Sequence, residues 1–95
     1  MPLPNRVTIS PDALFHVLEG ESVLLNLQND QYYGLDDVGT QMWTLLARRG
    51  DTEVVVQELL AVYPGQVDEA SLRHDLGALI DKLAAAGLLT VEPAA

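Results

Sequence analysis

The side chains able to do chemistry are few and scattered. His16 and His74 are the only histidines. The first alternates with Phe15 and Val17 in a strand-like run, and the second falls on the polar part of a long helical segment. Neither has a second imidazole or an acid at ligand spacing, which a metal or acid-base centre would need. The adjacent carboxylates Asp36 and Asp37 have the makings of a general acid and base. They open a helical segment, however, where free amides and the helix dipole already account for them. No glycine-rich loop precedes a lysine and a hydroxyl, and the one lysine, Lys82, lies mid-helix, so no phosphate cradle is spelled out. Cysteine is absent, which removes thiol catalysis and thiolate metal sites. The residues indicate no cofactor and no catalytic set. What remains is the main chain itself, in the run Gln31-Tyr32-Tyr33-Gly34-Leu35.

That run follows the turn signal Gln28-Asn29-Asp30 and leads into a helix start at Asp36-Asp37, and its tyrosines and leucine favour a strand. As the last strand of a small sheet it would carry unpaired amides and carbonyls along one side. An open edge of this kind pairs with a foreign extended peptide.

The elements that must hold the edge in place can be read in order. Residues 1 to 5, with two prolines, form a loose lead-in, and Arg6 to Ile9 a short strand closed by Ser10-Pro11-Asp12. Leu14 to Leu18 is too short for a helix and ends at the turn Glu19-Gly20-Glu21. The next run, Ser22 to Leu27, puts Val23, Leu25 and Leu27 on one face and Ser22, Leu24 and Asn26 on the other, the pattern of a half-buried strand. With the tyrosine run this completes a meander of three antiparallel strands, whose apolar face requires a cover.

Three helical segments supply it. The first is capped by Asp36 or Asp37, carries Val38, Met42, Leu45 and Leu46 as a stripe with Trp43 beside it, and ends at Arg48-Arg49-Gly50. The second starts at Asp51 or Thr52, presents Val55, Leu59 and Val62, and stops at Tyr63 before a Pro64-Gly65 turn. The third runs from about Asp68 to Ala86, with Leu72, Leu76, Leu79 and Leu83 as its stripe, Gly87 as terminator and Leu88-Leu89 tucked behind. Thr90 and Val91 add a little extended chain. The fold class is therefore α+β: a three-stranded antiparallel sheet followed by three α-helices.

With 95 residues the chain makes one domain, with a core from about residue 7 to 91 and no room for a deep substrate cavity. No apolar run approaches the ~18 residues that span a bilayer, and the amino terminus lacks a secretory signal, so the expected location is the cytoplasm. The formal charge of −9 would repel a phosphate backbone, and it is equally compatible with a role in solubility alone.

Beside the leucine stripe of the third helix, Arg73, Gly77, Ile80 and Ala84 share a second strip at helical spacing. Small residues there leave a shallow channel, or else permit close approach of another helix. If the strip lies along the tyrosine edge, a peptide paired with residues 31 to 35 would drop side chains onto Ile80, Leu76 and the tyrosine rings. Tyr32 and Tyr33 point to opposite faces, so at most one belongs to the core.

Taken together, Val23-Leu24-Leu25-Asn26, Tyr32-Tyr33-Gly34-Leu35-Asp36, Val38-Gly39, Trp43-Thr44-Leu45-Leu46, Thr52, Tyr63, Asp75-Leu76, Leu79, Leu83 and Gly87-Leu88-Leu89 resemble the PqqD family. They are especially similar to its stand-alone members found with lasso-peptide biosynthesis enzymes. The resemblance implies a winged helix-turn-helix-like fold and a non-catalytic recognition element that binds the leader of a ribosomally made precursor peptide as an added strand. It then presents the leader to a leader peptidase, and so to a cyclase, or to another modifying enzyme. The added strand would lie on Gln31, Tyr32, Tyr33, Gly34 and Leu35, with Arg73, Leu76, Gly77, Ile80 and Ala84 as the facing wall. Asp36 stands where many relatives have asparagine, and both residues can cap a helix. On this reading there is no metal, no nucleic-acid partner and no membrane contact, and the free protein is a monomer. The alternatives are a winged-helix regulator of DNA, which the charge opposes, and a self-associating scaffold subunit that uses the same edge.

Overall fold

The computed structural model describes residues 4, 6–63, 65 and 67–92. Expectations for the lead-in at 1–3 and 5, for Pro64 and for the tail after Glu92 lie outside the described residues. Strands β1 (Arg6–Ile9), β2 (Ala13–Leu18), β3 (Glu21–Asn26) and β4 (Gln31–Leu35) come first. Helices α1 (Asp37–Arg49), α2 (Thr52–Val62) and α3 (Glu69–Ala85) follow, and strand β5 (Leu89–Glu92) closes the order. The fold is α+β with antiparallel sheets. The expected meander is sheet β2-β3-β4, and a second sheet, β1-β5, pairs the two ends of the described chain from Arg6↔Glu92 to Ile9↔Leu89. The helices are therefore followed by a returning strand, where a little extended chain was expected.

Local chemistry explains the hairpins. β2 and β3 are joined through Glu19 and Gly20, both at positive φ (47° and 86°), the two-residue turn whose twist matches antiparallel strands. Asn29 and Asp30 turn the chain into β4, where Oδ1 of Asn29 accepts from the Gln31 amide at 3.0 Å.

Each helix is capped by the aspartate that precedes it. Asp36 accepts from the Gly39 amide, Asp51 from those of Glu53 and Val54, and Asp68 from that of Ser71. Of the two candidate caps for α1, Asp36 is the one used. Gly50 closes α1 by donating to the Leu46 carbonyl, and the Val7 amide donates to the Gly50 carbonyl at 2.9 Å, tying β1 to the α1–α2 corner.

β3 buries the face that looks more polar. Ser22, Leu24 and Asn26 are buried, Val23 and Leu25 are half-exposed and Leu27 is exposed. This is affordable because every inward polar group is satisfied. The Ser22 and Thr40 hydroxyls lie 2.8 Å apart, and Asn26 donates to the Ala86 carbonyl while accepting from the Gln28 amide. Leu24 sits with Leu46, Leu59, Leu76, Leu83 and Leu88 in the core between sheet and helices. Val38 and Val62, placed on stripes by periodicity, lie at the ends of those stripes and are exposed, while Val56 joins Val55 and Leu59 in the core.

Candidate strand-addition site

β4 has a partner on one side only. In sheet β2-β3-β4 it hydrogen-bonds β3 in the register Ser22↔Leu35 to Asn26↔Gln31, and no further strand lies beyond it among the described residues.

The direction of its backbone groups follows from the neighbouring pair. The Leu27 amide donates to the Asp12 carbonyl, continuing the β2–β3 register one step beyond Ala13↔Asn26. Odd-numbered residues of β3 therefore address β2, and even-numbered ones address β4, because backbone groups alternate sides along a strand. The pairs Asn26↔Gln31, Leu24↔Tyr33 and Ser22↔Leu35 are consequently the hydrogen-bonded ones. Tyr32 and Gly34 are left with their N–H and C=O groups aimed outward at the open edge. Alternation of side chains is the complementary fact. Tyr33 and Leu35 turn to the helix side, Leu35 buried and Tyr33 packed against the core, while the Tyr32 ring, 73% exposed, stands on the outer face.

Next to the edge runs a groove of about 560 Å³. Its strand side is Gly34, Leu35 and Asp36, its base Val38, Gly39 and Met42 of α1, and its far wall Asp75, Leu79 and Lys82 of α3. The base is drawn tight at Gly39, where a Cβ would meet Asp36 Oδ1 at 3.2 Å and the Leu35 side chain at 3.4 Å. Lys82 reaches over from α3 so that Nζ lies 6.0 Å from the centre of the Tyr33 ring, within cation–π range. The Tyr33 hydroxyl donates to Oε1 of Gln31 at 3.0 Å, which holds the ring along the strand.

The residues expected at the wall lie elsewhere. Leu76 and Ile80 are 0% and 1% exposed, inside the core with Leu72 and Leu83. Arg73 is directed at α2: its guanidinium donates to both carboxylate oxygens of Glu53 and, at 3.0 Å, to Glu69. These bonds hold the Arg73 pKa above its ordinary value and the Glu53 carboxyl below its usual 4.5. Gly77 and Ala84, both half-buried, share the Arg73 flank by helical spacing, so the strip of small residues runs along the side of α3 that meets α2. Leu79, assigned by periodicity to the core, is half-buried at the groove, and Ile80 takes the core position in its place. Both helical frames are apolar at four positions, so hydrophobicity alone does not choose between them. The signal that does is Arg73, a cation with acids within reach on its own helix and on α2. The strand half of the expectation and the groove do come together, at Gly34 and Leu35.

The family described as Coenzyme PQQ synthesis protein D (PqqD) matches residues 21–89, from the start of β3 through α3 to the first residue of β5. The chain belongs to the PqqD family. Among solved structures, this PqqD chain is similar to TbiB1 in complex with the TbiA(beta) leader peptide. The two share 35% identity with a TM-score of 0.78, over 86% of this chain and 93% of that one. It also shares its fold with lasso peptide synthetase B1 complexed with the leader peptide, at 20% identity and a TM-score of 0.76, over 90% of this chain and 98% of that one. A search of the curated proteins finds no match. The PqqD match contains β4, α1 and α3 entire, and so every residue of the groove.

Proposed function

We propose that this PqqD-family chain is a non-catalytic adaptor that binds the leader segment of a ribosomally made precursor peptide. The leader adds as a fourth strand outside β4. The observation that carries the reading is the edge itself: Tyr32 and Gly34 direct amides and carbonyls to open space beside an apolar-floored groove, the combination that strand addition requires. The structural relative of 35% identity is itself bound to a leader peptide. Backbone pairing would supply register and general affinity. Leu35, Val38, Met42 and Leu79 would supply burial for alternate side chains of the leader, each such anchor contributing roughly 1.5–3 kcal/mol before ordering costs. A lasso-type leader peptidase or another modifying enzyme is the expected recipient, and the cytoplasm the expected place of encounter. The free chain is read as a monomer, since copies carrying a net charge of −9 repel one another. The alternative of a DNA-binding regulator is disfavoured, because the same charge opposes a phosphate backbone.

The test is a fluorescence-polarisation titration of labelled TbiA(beta) leader peptide against wild-type protein and the Gly34→Pro variant. Proline removes an outward amide and leaves the β3 ladder intact, and prolines are tolerated at sheet edges. Binding should weaken by at least about tenfold, the loss of one edge hydrogen bond plus a displaced strand, with an unchanged far-UV circular dichroism spectrum. Equal affinity of the two proteins would remove β4 as the site.

A further inference from the structure

We infer that the groove selects its peptide by charge: it favours a segment with a basic side chain at the Gly34–Asp36 end and an acidic side chain two or four residues away, beside Tyr33. The inference rests on the strand-addition reading and adds a substrate class to it.

The ionic groups of the groove are segregated. Asp36 follows Gly34 and Leu35 at the end of β4, whereas Lys82 reaches toward Tyr33 in the middle of the strand. The carboxyl end of α3 is bonded to Asn26, the partner of Gln31 at the start of β4, so Asp75, seven residues before Lys82, falls toward the Gly34–Asp36 end. Neither Asp75 nor Lys82 takes part in an ion pair among the described residues. Their own helix provides no opposite charge, because the residues three and four positions to either side of each are all Ser, Leu or Ala. Three of the four arginines are engaged: Arg49 with Glu58, Arg73 with Glu53 and Glu69, and Arg6 with the Arg49 carbonyl; the fourth, Arg48, stands at the end of α1 and does not line the groove. The single lysine is thus left uncompensated at one point of the groove wall and a carboxylate at another.

Spacing turns segregation into a pattern. Seven helical residues separate Asp75 from Lys82, a rise of about 10 Å, which an extended chain covers in about three residues. Only alternate residues of an added strand face the helix, so the complementary charges fall two or four residues apart. At a spacing of four the residue midway between them also faces the helix, and an apolar side chain there meets Leu79, which lies between Asp75 and Lys82 on α3.

The experiment substitutes Glu, Gln and Lys in turn at each position of the TbiA(beta) leader peptide. Each peptide is titrated by fluorescence polarisation against wild-type protein, Lys82→Glu, Asp75→Lys and Gly34→Pro. Both charged sites are exposed, so the variants should fold as the wild type does. One peptide position should prefer Glu over Lys by about fivefold, with the order inverted by Lys82→Glu. A second position, two or four residues distant, should prefer Lys over Glu, with the order inverted by Asp75→Lys. Both preferences should shrink at about 1 M salt. A peptide series that binds and is weakened by Gly34→Pro, yet treats Glu and Lys alike within about twofold everywhere, overturns charge selection and leaves strand addition standing. Absence of binding, or binding indifferent to Gly34→Pro, overturns both.

Discussion

Asn26 donates from Nδ2 to the carbonyl of Ala86 at 2.9 Å, a buried hydrogen bond between residues sixty apart in the chain. It joins the end of β3 to the end of α3, so the helix that walls the groove is pinned to the strand next to the open edge. Gly87, at φ +76°, follows directly, and a Cβ there would stand 3.1 Å from the same Nδ2.

Asn26→Ala should therefore cost about 2–3 kcal/mol, from an unpaired buried carbonyl and the space left by the amide. Urea denaturation monitored by Trp43 fluorescence measures it. Leader binding should weaken further than the unfolded fraction explains, because α3 loses its anchor beside the groove.

The alternation of β4 is open to hydrogen exchange. In the free protein the Tyr33 and Leu35 amides should exchange slowly, as partners of Leu24 and Ser22, while Tyr32 and Gly34 exchange at rates close to those of exposed chain. Saturating leader peptide should slow Tyr32 and Gly34 specifically. Protection of those two amides before any peptide is added would show the edge to be closed.

Leu79 and Ile80 are neighbours with opposite assignments. Ile80→Ala should cost roughly 2–5 kcal/mol of stability, as for other fully buried aliphatic truncations. Leu79→Ser should leave the denaturation midpoint near the wild-type value and lower leader affinity about tenfold through loss of an apolar contact. The reverse pattern in paired denaturation and binding measurements would place the groove on the other flank of α3.

Arg73 faces α2, so Arg73→Ala should change leader affinity by no more than about twofold, within the range of a solvent-exposed ion pair. Its thermal effect should be small and pH-dependent. The hydrogen bond from Arg73 lowers the Glu53 pKa in the folded state, so the pair's stabilisation is present above the ordinary 4.5 and is lost as pH falls through the depressed value. The difference in Tm between wild type and variant should accordingly be largest near neutral pH and close up under acid, as followed by circular dichroism at several pH values.

The amino-acid sequence by itself determined the local structure here. Alternation, turn residues, aspartate caps and terminal glycines are short-range effects, and they place every helix start and each of β2, β3 and β4 within a residue or two of where they stand. The absence of catalytic and metal-binding motifs likewise leaves the backbone of residues 31–35 as the chain's means of recognition. Tertiary structure decided which way the elements face. β3 turns Ser22 and Asn26 inward because Thr40 and Ala86 are there to receive their hydrogen bonds, and those partners come from distant helices. α3 is rotated so that Ile80 is inside with Leu76 and Leu83 and Leu79 is at the groove, and at that azimuth Arg73 also meets Glu53 on α2. The return of β5 onto β1 is also a long-range pairing. Periodicity states that a helix or strand has an apolar side; its azimuth is set by partners that meet only when the chain has folded.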